Sequence, residues 1–113
     1  MTRSDSWAAE QVRRYLIQVA LLKDEFLPTY GDVGVVCERH PLAVGRILEL
    51  VFADCQRRGE PDLTVLVINK RTKVCSKFLG RFAVDGRSYV DAWRYAVAGV
   101  RSWPWSPDAA TGL

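Results

Sequence analysis

The highest density of positive charge in the sequence lies between residues 63 and 84, a stretch that contains no Asp or Glu. Ammonium and guanidinium groups attract phosphates and release the counterions that surround a nucleic acid. The stretch therefore predicts contact with the phosphate backbone of double-stranded DNA. The alternative is a solvated turn whose lysines keep an exposed strand edge from aggregating. The predicted phosphate contacts are Lys70, Arg71, Lys73 and Lys77, and Arg81 lies just beyond them.

The net charge of the 113 residues is +3, and it is unevenly distributed. Residues 1–62 contain 8 Lys or Arg and 10 Asp or Glu, a balance of −2, whereas residues 63–113 contain 8 and 3, a balance of +5. A polyanion-binding surface needs such an asymmetry, although a solvated basic face without a partner also produces it. The length and the hydrophobic fraction of 49% are those of one globular domain.

The sequence has no pattern that is typical of a catalytic or metal site. Cys37, Cys55 and Cys75 are widely spaced and there is a single His, so we predict neither a zinc site nor a disulfide framework, but buried and reduced thiols. No nucleophile with a positioned base is evident, which predicts a protein that is not an enzyme and has no cofactor. Without a signal-peptide pattern or an apolar run of about 18–20 residues, we expect a cytoplasmic protein with no membrane partner.

Three helices are expected before the basic stretch. Apolar residues recur at three- and four-residue steps over residues 6–26, and Pro28 is expected to end this first helix. Thr29 and Asp32 have the spacing of a capping box, which predicts a short second helix over residues 30–38.

A third helix is predicted to begin at Pro41 and to stop at Gly59. Arg46 on its exposed face is expected to reach a guanine edge or a phosphate, while Arg39 and His40 hold the backbone at the helix entrance. The alternative is an ordinary solvent face. The apolar stripe expected to face the core consists of Val44, Ile47, Leu48, Val51 and Cys55.

The basic stretch itself is predicted to be a β-hairpin. Residues 63–68 are β-branched and aliphatic, residues 69–73 are polar and predict a turn, and residues 74–79 are predicted to be the return strand. A helix from a second capping box at residues 88–91 to about Arg101 follows. This order predicts an α+β winged helix-turn-helix with three helices, a β-hairpin wing and a C-terminal helix. Residues 1–105 would be a single domain and residues 106–113 a frayed tail.

Two short motifs support the DNA-binding interpretation. Residues 29–33, Thr-Tyr-Gly-Asp-Val, and residues 43–46, Ala-Val-Gly-Arg, resemble the helix-turn-helix of the winged-helix domain of the alkyltransferase and alkyltransferase-like family. The resemblance implies DNA binding, but residues 63–68 lack the Pro-Cys-His-Arg of that family, and Leu42 stands where the family has an intercalating arginine. The block at residues 66–72 also resembles small bacterial and phage domains of unassigned role.

These patterns predict a non-catalytic DNA-binding protein with a basic wing on phosphates and a third helix in the groove. The alternative is a protein-interaction module, such as a phage or mobile-element accessory factor that docks on a bacterial defence or replication protein. In that case the basic stretch would bind an acidic protein. The third class is an enzyme, for which an alkylated-base transferase would be the form, and the oligomeric state is left open.

Overall fold

The computed structural model of the chain describes residues 3–22, 24–73, 75 and 89–111. Within these residues there are five α-helices and two short 3-10 helices, and there is no β-strand. The 3-10 helices are Pro41–Ala43 and Leu63–Leu66. The α-helices are α1 (Asp5–Leu21), α2 (Tyr30–Cys37), α3 (Val44–Arg58), α4 (Tyr89–Ser102) and α5 (Pro107–Thr111).

The predicted α+β winged fold is wrong, because the first strand of its wing is a helical turn. Leu63–Leu66 form a 3-10 helix that Asp62 caps by accepting a hydrogen bond from the Thr64 amide at 2.9 Å. All four residues of this helix are buried, since the segment passes through the core beside α1, α3 and α4. β-Branched residues favour any packed surface, so their enrichment here reflects burial and not strand geometry. The predicted return strand at residues 74–79 lies outside the described residues except for Cys75.

Helix α1 ends at Leu21, well before Pro28, so the prediction that Pro28 terminates it was wrong. Its last carbonyl groups are bound by a side chain from α4 instead. Arg101 donates to the carbonyl oxygens of Val19 at 3.3 Å and Leu22 at 2.8 Å, and to that of Phe26 at 3.0 Å. Because these bonds satisfy acceptors that a longer helix would have satisfied, the chain can leave the helix early.

The predicted capping box of α2 and the predicted stop and buried face of α3 are confirmed, whereas Pro41 begins the short 3-10 helix and α3 itself begins at Val44. The Asp32 amide donates to the Thr29 hydroxyl at 3.2 Å, and the Thr29 amide donates to the Asp32 carboxylate at 3.0 Å, which completes the capping box. Gly59 adopts a φ of 68° after the end of α3, as the predicted stop requires. The five apolar residues predicted for the buried face of α3 are all buried.

The C-terminal residues pack on the core. Instead of fraying, Pro107–Thr111 form α5, and the Gln18 side chain of α1 donates to the Ala110 carbonyl at 2.9 Å. Trp105 is buried, and its indole N–H donates to the Val100 carbonyl at 2.8 Å. The three cysteines are buried, as predicted. Burial raises the pKa of the Cys37 and Cys55 thiols, which makes both poor nucleophiles.

Candidate nucleic-acid interface

The turn at residues 69–73 is held by its own first residue. The Asn69 side-chain oxygen accepts from the Arg71 amide at 2.8 Å and from the Thr72 amide at 3.4 Å. The Asn69 carbonyl accepts from the Lys73 amide at 2.8 Å. An Asn side chain that mimics a backbone turn in this way fixes the path of the chain. The turn predicted from the sequence is therefore confirmed, although the strand before it is not.

The turn is attached to the start of α2. The Ile68 amide donates to the Pro28 carbonyl at 2.9 Å, and Ile68 forms a parallel bridge with Thr29. Thr29 is the N-cap residue of α2. The basic turn, which we define as residues 69–73, therefore lies beside the N-terminal end of α2.

Three predicted site residues occupy this basic turn, namely Lys70, Arg71 and Lys73. All three side chains are exposed. None of them forms an ion pair with another residue in the described part of the chain. Three of the predicted cations therefore lie on one exposed turn, without an ion-pair partner among the residues that the structure describes. Lys77, the fourth predicted contact in this region, lies outside the described residues.

The Arg39 side chain stabilises the fold by contacts within the protein. Its side chain is only 11% exposed and joins the end of α2 to the start of α1. The guanidinium donates to the Arg3 carbonyl and to the Cys37 carbonyl, the latter at 3.4 Å, and pairs with Asp5 at 3.4 Å. With its donors directed at these groups, Arg39 holds the turn between α2 and α3 and has little capacity left for a phosphate.

His40 and Arg46 lie on the surface beyond that turn. The His40 Nδ1 atom accepts a hydrogen bond from the Leu42 amide at 3.2 Å and so caps the 3-10 helix Pro41–Ala43. The Arg46 side chain is 80% exposed, and its Nε atom lies 3.2 Å from a carboxylate oxygen of Asp5. Arg46 is therefore accessible to a ligand but has an acidic partner in the protein.

A second cluster of cations lines a groove of about 610 Å³ between α1, α3 and α5. The groove differs from the basic turn because carboxylates neutralise its arginines. Asp54 pairs with Arg57 at 2.5 Å and with Arg58 at 3.1 Å, and Glu10 pairs with Arg14 at 2.5 Å. An anion would have to displace these partners, so the groove is a weaker candidate than the turn.

Two exposed apolar residues were not predicted as part of a site. Leu42 is 91% exposed on the 3-10 helix, and Val35 is 81% exposed on α2. Both flank the turn that carries His40. The apolar residues of α2 and α3 can be read from the sequence. Which of them remain exposed to solvent depends on how the other helices pack.

Comparisons with protein-family models, curated proteins and solved structures found no match to this chain. The resemblance of its two short motifs to the alkyltransferase-like domains therefore stays a prediction. No group of three or more potential ligands that could hold a metal ion occurs among the residues that the structure describes. In that same part of the chain, no helix has the length and apolar character that crossing a bilayer requires.

Proposed function

We propose that this chain is a cytoplasmic, non-catalytic DNA-binding protein whose basic turn contacts the phosphate backbone. The observation that carries the proposal is the set of three exposed cations, Lys70, Arg71 and Lys73, on a turn whose backbone is fixed by Asn69. Within the described residues no carboxylate neutralises them. A fixed position reduces the loss of conformational freedom on binding, and each phosphate contact releases a counterion.

The second proposed contact with DNA comes from residues beside the C-terminal end of α2. The basic turn lies beside the start of this helix, and His40 and Arg46 follow its end. Helix α2 has eight residues and is therefore about 12 Å long. This length is similar to the width of the DNA major groove, about 12 Å. We propose that cations beside the two ends of α2 contact phosphates on the two sides of that groove.

Replacing Lys70, Arg71 and Lys73 together by Gln is expected to weaken binding to a random duplex by at least about tenfold at low salt. The reason is the loss of three phosphate contacts, which should also reduce the dependence of log K on log salt by about 2.7. Fluorescence anisotropy of a labelled duplex at several salt concentrations measures both quantities.

The matched control replaces Arg14, Arg57 and Arg58 by Gln, which removes the same charge from the groove between α1 and α3. These arginines have carboxylate partners, so the control should reduce affinity much less than the turn variant. Equal losses in the two variants would mean that only net charge matters, and the turn would have no special role.

A protein-interaction module is the second candidate, and the exposure of Leu42 and Val35 favours it. Exposed apolar side chains beside cations are common features of protein-binding surfaces. A pull-down from nuclease-treated lysate separates the two candidates. A partner retained after nuclease treatment and lost in a Leu42→Ser variant would support the interaction module, whereas a partner lost with the nucleic acid would support DNA binding.

A further inference from the structure

Asp5 connects the two arginines that flank the turn between α2 and α3. One of its carboxylate oxygens lies 3.4 Å from Nη2 of Arg39, and the other lies 3.2 Å from Nε of Arg46. Asp5 is the first residue of α1, so the start of this helix lies beside Arg39 and Arg46, two of the residues predicted to contact DNA. A carboxylate that is paired with two guanidinium groups occupies the kind of position that a phosphate takes in an arginine site.

The two arginines are not equally able to leave Asp5. Arg39 is 11% exposed and also donates to carbonyl oxygens of Arg3 and Cys37, so its position is fixed. Arg46 is 80% exposed, and Asp5 is its ion-pair partner among the described residues. An exposed pair of this kind is weak and exchanges readily with solvent.

We propose that Asp5 occupies the Arg46 guanidinium in the free protein and that a DNA phosphate displaces it on binding. The inference rests on the proposed function, and it identifies the Asp5 carboxylate as a group that competes with the DNA phosphate. After the exchange the Asp5 carboxylate keeps Arg39 as a partner, so it is not left as an isolated charge. Asp5 therefore reduces the affinity for DNA through its ion pair with Arg46.

Asp5→Asn is expected to bind a random duplex about two- to fivefold more tightly than the wild type, the factor that corresponds to an exposed ion pair. This gain in DNA affinity should disappear when Arg46→Gln is also present, because the guanidinium that Asp5→Asn frees is then missing. Anisotropy titrations measure the DNA affinity of the wild type, both single variants and the double variant, which together form a double-mutant cycle. Thermal unfolding checks each fold, and Asp5→Ser replaces Asp5→Asn if the latter unfolds.

Glu38→Gln is the matched control. It removes the same charge from the same end of α2, but Glu38 pairs with Arg3 at 3.4 Å and not with Arg46. The gain in affinity should be clearly smaller than with Asp5→Asn. If the wild type binds DNA and the gain from Asp5→Asn persists without Arg46, or equals that of Glu38→Gln, the competition is refuted while the proposed function stands. If no variant binds DNA at low salt, both are refuted.

Discussion

Arg13→Met is expected to lower the free energy of unfolding by about 1–3 kcal/mol, because it leaves the partly buried Glu60 carboxylate without its partner. The side chain of Arg13 is 12% exposed and that of Glu60 is 15% exposed. Arg13 Nη2 donates to one Glu60 oxygen at 2.9 Å, and Nη1 lies 2.9 Å from the other. Its guanidinium also lies 6.0 Å from the centre of the Trp105 ring.

Glu60 stabilises the charged form of this arginine. Burial alone lowers the pKa of Arg13, but the hydrogen bond and the charge of Glu60 outweigh burial and raise the pKa. An arginine is charged throughout the usual pH range, and removing Arg13 leaves the Glu60 carboxylate poorly solvated. The pair also joins α1 to the segment that follows α3, since Glu60 is the second residue after the end of that helix.

The adjacent Arg14 provides the control for this prediction. It lies on the same helix and pairs with Glu10 four residues before it, on a more exposed surface. Arg14→Met should therefore change the free energy of unfolding by about 0.5 kcal/mol or less. Urea denaturation of both variants makes the comparison. Similar midpoints for the two variants would contradict the prediction that the partly buried Arg13–Glu60 pair stabilises the fold more than the exposed Arg14–Glu10 pair.

Trp93→Ala is expected to destabilise the protein by about 3–5 kcal/mol, the usual cost of removing a large aromatic side chain from a core. The Trp93 side chain is buried, and its indole N–H donates to the Val65 carbonyl at 2.8 Å. Val65 belongs to the 3-10 helix, so this bond fixes α4 on the segment that replaces the predicted strand. Trp93→Phe keeps most of the apolar contact and should cost about 1–3 kcal/mol through the carbonyl left without a donor.

Trp103 is the matched control for Trp93. It lies just after α4 and is 40% exposed, so Trp103→Phe should cost much less than Trp93→Phe. Thermal unfolding followed by circular dichroism gives both values. A Trp93→Phe variant as stable as Trp103→Phe would contradict the buried bond to Val65 and, with it, the position of α4.

The features that could be predicted from the sequence depend on residues close together in the chain. The capping box of Thr29 and Asp32 needs two residues three apart, and the buried face of α3 follows from its helical period. Gly59 adopts the left-handed conformation that glycine tolerates best. The turn at residues 69–73 was also predicted, because Asn69 forms its bonds with the next few residues.

The features that could not be predicted depend on distant partners. An apolar run such as residues 63–68 fits a buried strand and a buried helical turn equally well, and the packing of α4 on Val65 favours the turn. The pairing of Arg46 with Asp5 joins residues 41 positions apart along the chain. Arg39 was predicted as a DNA contact, but its burial against α1 follows only from the folded arrangement.

The most direct test of the account is a titration of the wild-type protein with random duplex DNA at increasing salt. Contacts from the three turn cations, with or without Arg46, predict binding at low salt and a slope of log K against log salt of about −2.7 to −3.6. No binding at low salt, or a slope near zero, would contradict the proposal that the basic turn binds the DNA backbone.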